Sequence, residues 1–313
     1  AQPKLADCAF ICTLDDDHTA PALRAMELGY HVLLEKPMSN TESECRLIAD
    51  TAQRTGCALA VCHVLRYTPF YMTLKALIDR GKIGEVTVIN QIENVGYWHQ
   101  AHSFVRGNWR STRETSPMIL QKSCHDMDIL LWLMGKNCRR VQSFGSLRHF
   151  TPDHAPAGAP ERCLDGCPHA QSCPYYAPSL YLDMTRTGWP VDVITTDLSE
   201  EGRRKALAEG PYGRCVYRCD NDVVDHQVVN MEFEGGITAT FNLSAFTQNC
   251  YRTMLVMGAM GEIEGNLEEN AVYVRRFGQP EEKIALDPVS DEFAGHGGGD
   301  SRMMEYLCRL IRE

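Results

Sequence analysis

Gly29–Asn40, GYHVLLEKPMSN, is the stretch from which the rest of the chain can be read. Tyr30 to Leu34 is an apolar run with the length of a buried strand, and it stops abruptly at a charged pair and a proline. Glu35 and Lys36 therefore stand at a strand tip. Pro37 has no N–H for a ladder and biases Lys36 toward extended backbone, so the chain must leave the sheet there. Ligands of open α/β sheets bind at the carboxyl ends of strands. Taken alone, the stretch reads more readily as a surface lysine in a turn.

Its neighbours narrow the choice. Upstream, Asp7 to Thr13 is an apolar run, followed from His18 to Leu28 by apolar residues at helical spacing. Downstream, Thr41 to Thr55 reads as a helix with Thr41 as N-cap and Glu44 completing a capping box, and Ala58 to Val64 reads as a third strand. Strands separated by single helices form right-handed crossovers in a parallel sheet. The expected fold class is α/β: a partial Rossmann-type parallel-sheet domain over residues 1–65, then an α+β domain over 66–313 with an open, mainly antiparallel sheet. The second sheet is read from Gln227 to Phe233 and Ile237 to Phe246, flanking Glu234-Gly235-Gly236, with a meander beyond them. An insertion is expected over about 151–220.

The 313 residues are 44% apolar and 23% charged, with a formal net charge of -10. No basic tract is present to neutralise nucleic acid or dock on an anionic membrane, so a small-molecule partner is expected. No apolar run reaches the roughly 18 residues of a membrane span, and the first twenty residues lack a signal-peptide pattern. A cytoplasmic setting is expected, with the fourteen cysteines as thiols or metal ligands in preference to disulfides.

A second stretch carries chemistry. Ser116 as N-cap, Pro117 as first helical residue and Gly135 as terminator predict one helix between them. On it Gln121, Lys122, His125 and Asp128 share a face, and polar groups on one stripe of an apolar helix need a reason. A hydrogen-bonded core histidine is the plain reading; a reactive imidazole is the other. Gly96 to Ser116, dense in Trp98, His99, His102, Arg106, Asn108, Trp109 and Arg110, reads as a polar loop suited to a lid or a carbohydrate-binding wall. Asp222, Asp225 and His226 either line the site or cap the insertion.

The order strand, Glu35-Lys36-Pro37, helix, followed later by QKSCHDMDILLWL, resembles the Gfo/Idh/MocA family of NAD(P)-dependent sugar and polyol oxidoreductases. The resemblance implies hydride transfer between nicotinamide and a hydroxylated substrate, with NAD or NADP as cofactor and a homo-oligomer built on the open sheet. It implies that His125 exchanges the hydroxyl proton and that Lys36 hydrogen-bonds the same oxygen. The family commonly has an acidic residue where this chain has Gln121, and Lys122 is the candidate to supply the missing polar contact. Thr13, Leu14, His18, Glu35, Lys36 and Arg66 are the implied cofactor contacts, and Trp109, Arg110 and Asp128 the substrate contacts. Thr13 and His18 are read equally well as capping residues, and Arg66 as a surface arginine. No G-x-G-x-x-G fingerprint occurs in the sequence. The resemblance puts it one βαβ unit ahead of Asp7 and adds a further C-terminal stretch, so the chain is expected to be a piece lacking both. Two other functions stay open: an NAD-using glycosidase or lyase on the same scaffold, and an inactive fragment with a metal-stabilised binding element.

That element would be the insertion. Cys163, Cys167 and Cys173, with Cys215 downstream, offer four thiols for a closed structural zinc site, although the spacing is looser than a C-x2-C knuckle.

Overall fold

The computed structural model describes residues 4–269, 271–286 and 295–312. Three strands, β1 (Cys8–Ile11), β2 (His31–Leu34) and β3 (Leu59–Val61), form a parallel sheet in that order. Helices α1 (Thr19–Glu27) and α2 (Glu42–Thr55) make the crossovers. Thr41 caps α2 by accepting from Glu44 N–H, a bond worth about 1 kcal/mol in such positions. The register pairs Ile11 with Leu34 and Leu34 with Val61, so the three strands end flush. Their outgoing loops leave from one level of one edge.

Side chains alternate across β2. Val32 and Leu34 pack with Ile11, Met26 and Ile48 under α1 and α2, whereas Leu33 faces the other way. That second face is covered from the far end of the sequence. In the helix Gly295–Arg312, Met303 and Leu307 pack on Leu33, Cys62 and Val64. Gly297 and Gly298 have φ of 62° and 85°, a left-handed turn into the helix. Gly299 must be glycine because a Cβ there would meet the Val64 carbonyl at 2.5 Å.

An eight-stranded sheet follows in the order β11-β10-β9-β8-β4-β7-β6-β5. Its strands are β4 (Val86–Gly96), β5 (Cys138–Ser146), β6 (His226–Phe233), β7 (Thr238–Thr247), β8 (Tyr251–Gly258), β9 (Gly261–Asn266), β10 (Ala271–Arg276) and β11 (Glu282–Ala285). Within this sheet only the β4–β7 pair is parallel among the described strands. The 233–238 hairpin turns on Gly235 and Gly236, whose φ values are 84° and 79°. Helices α3 (Pro69–Asp79) and α4 (Cys124–Met134) pack on one face of this sheet and form the largest core. Among the described residues no helix is long and apolar enough to cross a membrane.

Two expectations are corrected. The single helix from Ser116 to Gly135 is two: a turn at Met118–Gln121, a break at Lys122 and Ser123, then α4. The stretch after Gly96 is not an open polar loop. Tyr97–His99 continues into a π-helical turn, Gln100–Arg106, all seven residues of which are buried. The insertion is the reason, since it packs over this stretch: Tyr181 OH meets His102 Nδ1 at 2.7 Å, and Arg106 donates to the carbonyls of Arg214 and Tyr175 at 2.7 Å each.

Candidate active site

The three loops leaving the parallel sheet converge with α4. In the second loop, the Lys36 ammonium donates to the Gln121 carbonyl at 2.8 Å. The break after Gln121 makes this bond available, because the last carbonyls of a helical turn have no partner within it. Burial lowers the Lys36 pKa below that of an ordinary lysine, with nearby Lys122 acting in the same sense.

His18 braces the first two loops from a fully buried position: Nδ1 stands 2.9 Å from the Pro37 carbonyl and Nε2 3.1 Å from that of Thr13. Thr13 Oγ1 donates to the Asp17 carbonyl at 3.1 Å, Leu14 is exposed, and a Glu35 carboxylate oxygen accepts from the Lys36 backbone N–H at 3.2 Å. Neither side chain caps a helix N–H: Thr13 bonds within its own loop, and His18 ties the first loop to the second.

His125 opens α4 and is 6% exposed. Its Nδ1 is buried with no hydrogen-bond partner among the described residues. Burial, and then the positive charges of Lys36, Arg252 and Lys122, hold its pKa well below the ordinary histidine value. The His63 ring approaches edge-on at 6.1 Å between centroids, and the His296 ring lies at the same separation on a tilt. Both came unannounced by any pattern near Lys36 or His125.

The polar face expected on the helix divides. Asp128 receives a fork from Arg66, Nε to Oδ2 at 2.7 Å and Nη2 to Oδ1 at 2.5 Å, with His63 Nε2 4.0 Å away. Lys122 turns to the large sheet, where its ammonium is 3.5 Å from Glu93. Asp126, unremarked in the sequence, is fully buried and meets the Arg252 guanidinium at 2.9 and 3.3 Å as well as the Gln91 amide. Arg252 also contacts Glu93. Burial and then Glu93 push Asp126 upward; against burial, Arg252 and Lys122 hold Glu93 down. Under α4 lies a compact cluster of two carboxyl groups and two cations.

Trp109 is half-buried against the main core, with its indole N–H unpartnered. Arg110 is engaged with Asp220 at 3.0 Å and Glu114 at 3.3 Å. Asp222 accepts from Thr112, and Asp225 from the backbone N–H groups of Arg148 and His149. Cys163, Cys167, Cys173 and Cys215 line one cavity in the insertion. As they stand, no three His, Cys, Asp or Glu side chains among the described residues are close enough together to hold a metal ion.

Comparison with known proteins agrees with this layout. Residues 1–63 match the Gfo/Idh/MocA oxidoreductase family's NAD-binding Rossmann fold, and residues 75–312 match its C-terminal alpha/beta domain. YteT of Bacillus subtilis, a protein with oxidoreductase in its name, is 26% identical over 318 residues, covering 96% of this chain and 72% of YteT. Inositol 2-dehydrogenase 2 of Saccharopolyspora erythraea is 28% identical over 132 residues, 42% of this chain and 35% of that protein. A levoglucosan dehydrogenase solved with NADH and levoglucosan shares the fold at a TM-score of 0.63 and 17% identity, covering 96% of this chain and 68% of its own. With a parallel sheet whose strand ends meet a buried histidine, and with both domains matched, the chain belongs to the Gfo/Idh/MocA family of NAD-binding oxidoreductases.

Proposed function

We propose that this chain oxidises a secondary hydroxyl of a sugar, polyol or related molecule, with His125 accepting the hydroxyl proton and Lys36 donating a hydrogen bond to the same oxygen. The observation that carries the reading is a buried imidazole with an unpartnered nitrogen, kept neutral by burial and by the Lys36 charge, beside the carboxyl edge of the parallel sheet. The flush strand ends and the loops at Thr13, Lys36 and His63 fit the nicotinamide half of NAD or NADP. When bound, the dinucleotide supplies the hydride acceptor.

The chain's own residues handle the proton and the charge. A neutral imidazole takes the hydroxyl proton as the C–H bond weakens. The ammonium of Lys36 stabilises alkoxide character at the oxygen. Gln121 supports this by fixing Lys36 through its carbonyl, and Lys122 adds positive potential from the Glu93 side. Arg66 and Asp128 order the third loop as a pair, leaving Arg66 half-open for cofactor or substrate. The division near residue 65, a cytoplasmic setting and a homo-oligomer through the outer sheet belong to the same proposal. Exposed Val141 and Phe144 on β5 support the last.

The test is incubation with NAD+ or NADP+ and a panel of inositols, aldoses, polyols and anhydrosugars, following reduced nicotinamide. Net NAD(P)H with at least one of them is expected, and His125→Ala should lower kcat roughly 100-fold or more while cofactor affinity stays within about twofold. Substrate consumed without net NAD(P)H would instead assign a glycosidase or lyase, and absence of nicotinamide binding would remove the reading.

A further inference from the structure

We infer that Cys163, Cys167, Cys173 and Cys215 form a zinc(II) tetrathiolate site that cross-links the insertion beside the buried helical turn ending at Arg106. The site is independent of the proposed reaction. All four thiols line one cavity of about 20 Å³, the scale of a single small ion or water and too small for an organic ligand.

The backbone brings the thiols there by separate devices. Arg162 and Arg214 form an antiparallel bridge, with Cys163 N–H on the Gly213 carbonyl at 2.9 Å and Cys215 N–H on the Glu161 carbonyl at 2.9 Å. Two cysteines 52 positions apart in sequence thereby become neighbours. Gly166, with φ of 74°, turns the chain just before Cys167, and Cys173 N–H closes a loop onto the His169 carbonyl at 2.8 Å.

Burial raises the pKa of Cys173 and of Cys215, and backbone hydrogen bonds act against it. Backbone N–H groups face three of the sulfurs: Ala177 toward Cys163 at 3.5 Å, Tyr175 toward Cys173 and Tyr217 toward Cys215. Donors of this kind stabilise metal-bound sulfur. Arg106 is 2% exposed and has no carboxylate partner among the described residues; it donates to two carbonyls and, at 3.8 Å, to Cys163 Sγ. A buried cation calls for a counter-charge. Zinc bound by four thiolates is a dianion and answers that requirement with one positive charge in contact. Other donors nearby are engaged: His169 Nε2 is on the Ala157 carbonyl at 2.8 Å and Cys219 is on that of Cys215 at 3.3 Å. Loading exchanges the four thiol protons for one zinc ion and requires the sulfurs to close in from the positions seen here, where no three of them are near enough to share an ion.

The experiment is metal analysis of the reduced chain purified from zinc-supplemented cells, with a mercurial titration of the thiols. About one zinc per chain is expected, released as the thiols react. Cys163→Ser and Cys215→Ser should each lower zinc content at least fivefold, and Cys12→Ser and Cys308→Ser, at exposed cysteines, should leave it unchanged. If the site variants are insoluble, cobalt(II) titration of the metal-free wild-type chain decides, the expected result being the intense visible bands of tetrahedral cobalt thiolate. Zinc content unaffected by the site variants, absence of those bands, iron with labile sulfide, or disulfides among the four cysteines would each overturn the assignment.

Discussion

Lys36 has a carbonyl for one of its three ammonium protons, which leaves the others for an oxygen brought to the strand edge. Its position depends on its neighbours: His18 holds the Pro37 carbonyl, and the helix break frees the Gln121 carbonyl. Lys36→Met removes the donor while retaining much of the side-chain volume. A loss in kcat of roughly 100-fold is expected, with unfolding unchanged or slightly later because a buried cation is gone. Steady-state kinetics with the substrate found above checks this, and a loss below about fivefold would remove Lys36 from the chemistry. At this scale the sequence was legible where chemistry sits in a local motif. Glu35-Lys36-Pro37 and the spacing of His125 to Asp128 could be read directly, whereas His63 and His296 are close to His125 only through folding.

Helix α4 is held on its underside by ions. Arg252 comes from β8 and Glu93 from β4, and both converge with Asp126, the residue after His125. Removing one member of a buried ion cluster leaves uncompensated charge, so Arg252→Met should cost about 3–5 kcal/mol of unfolding free energy in urea. Combining it with Glu93→Gln and Asp126→Asn should restore more than half of that loss. Additive losses in the triple variant would show that packing and not charge holds the helix. Strands and hairpins were readable from alternation and from Gly235-Gly236, because their rules are local. The ion cluster was not, since Asp126 and Arg252 are 126 positions apart. The break at Lys122 and Ser123 was hidden because Ser116, Pro117 and Gly135 give one start and one stop with helical spacing between them, and the burial of Gln100 to Arg106 was hidden because the insertion that covers them lies far downstream.

For the molecule as a whole, buried histidines set a pH limit. Burial pushes His99 down to about 2 and His102 to about 4, and holds His125 well below its usual range. Unfolded, each titrates near 6.5, so below that pH the unfolded chain binds protons that the folded one refuses. Their stabilising contribution is present above about pH 6.5 and declines as pH falls, by up to about 1.4 kcal/mol per pH unit for each histidine. Urea midpoints should therefore fall from pH 7 to pH 5, and His102→Gln should reduce the slope by one histidine's share. A midpoint flat across that interval would contradict neutral burial. The packing of the last helix on the first sheet has another result, for biosynthesis. Leu33, Cys62 and Val64 leave the ribosome first, and Met303 and Leu307, which cover them, follow roughly 240 to 270 residues later. At about 5–20 residues per second that interval lasts on the order of 10–50 s. During translation the nascent first sheet presents an uncovered apolar face, and its final assembly waits for the segment that carries Met303 and Leu307.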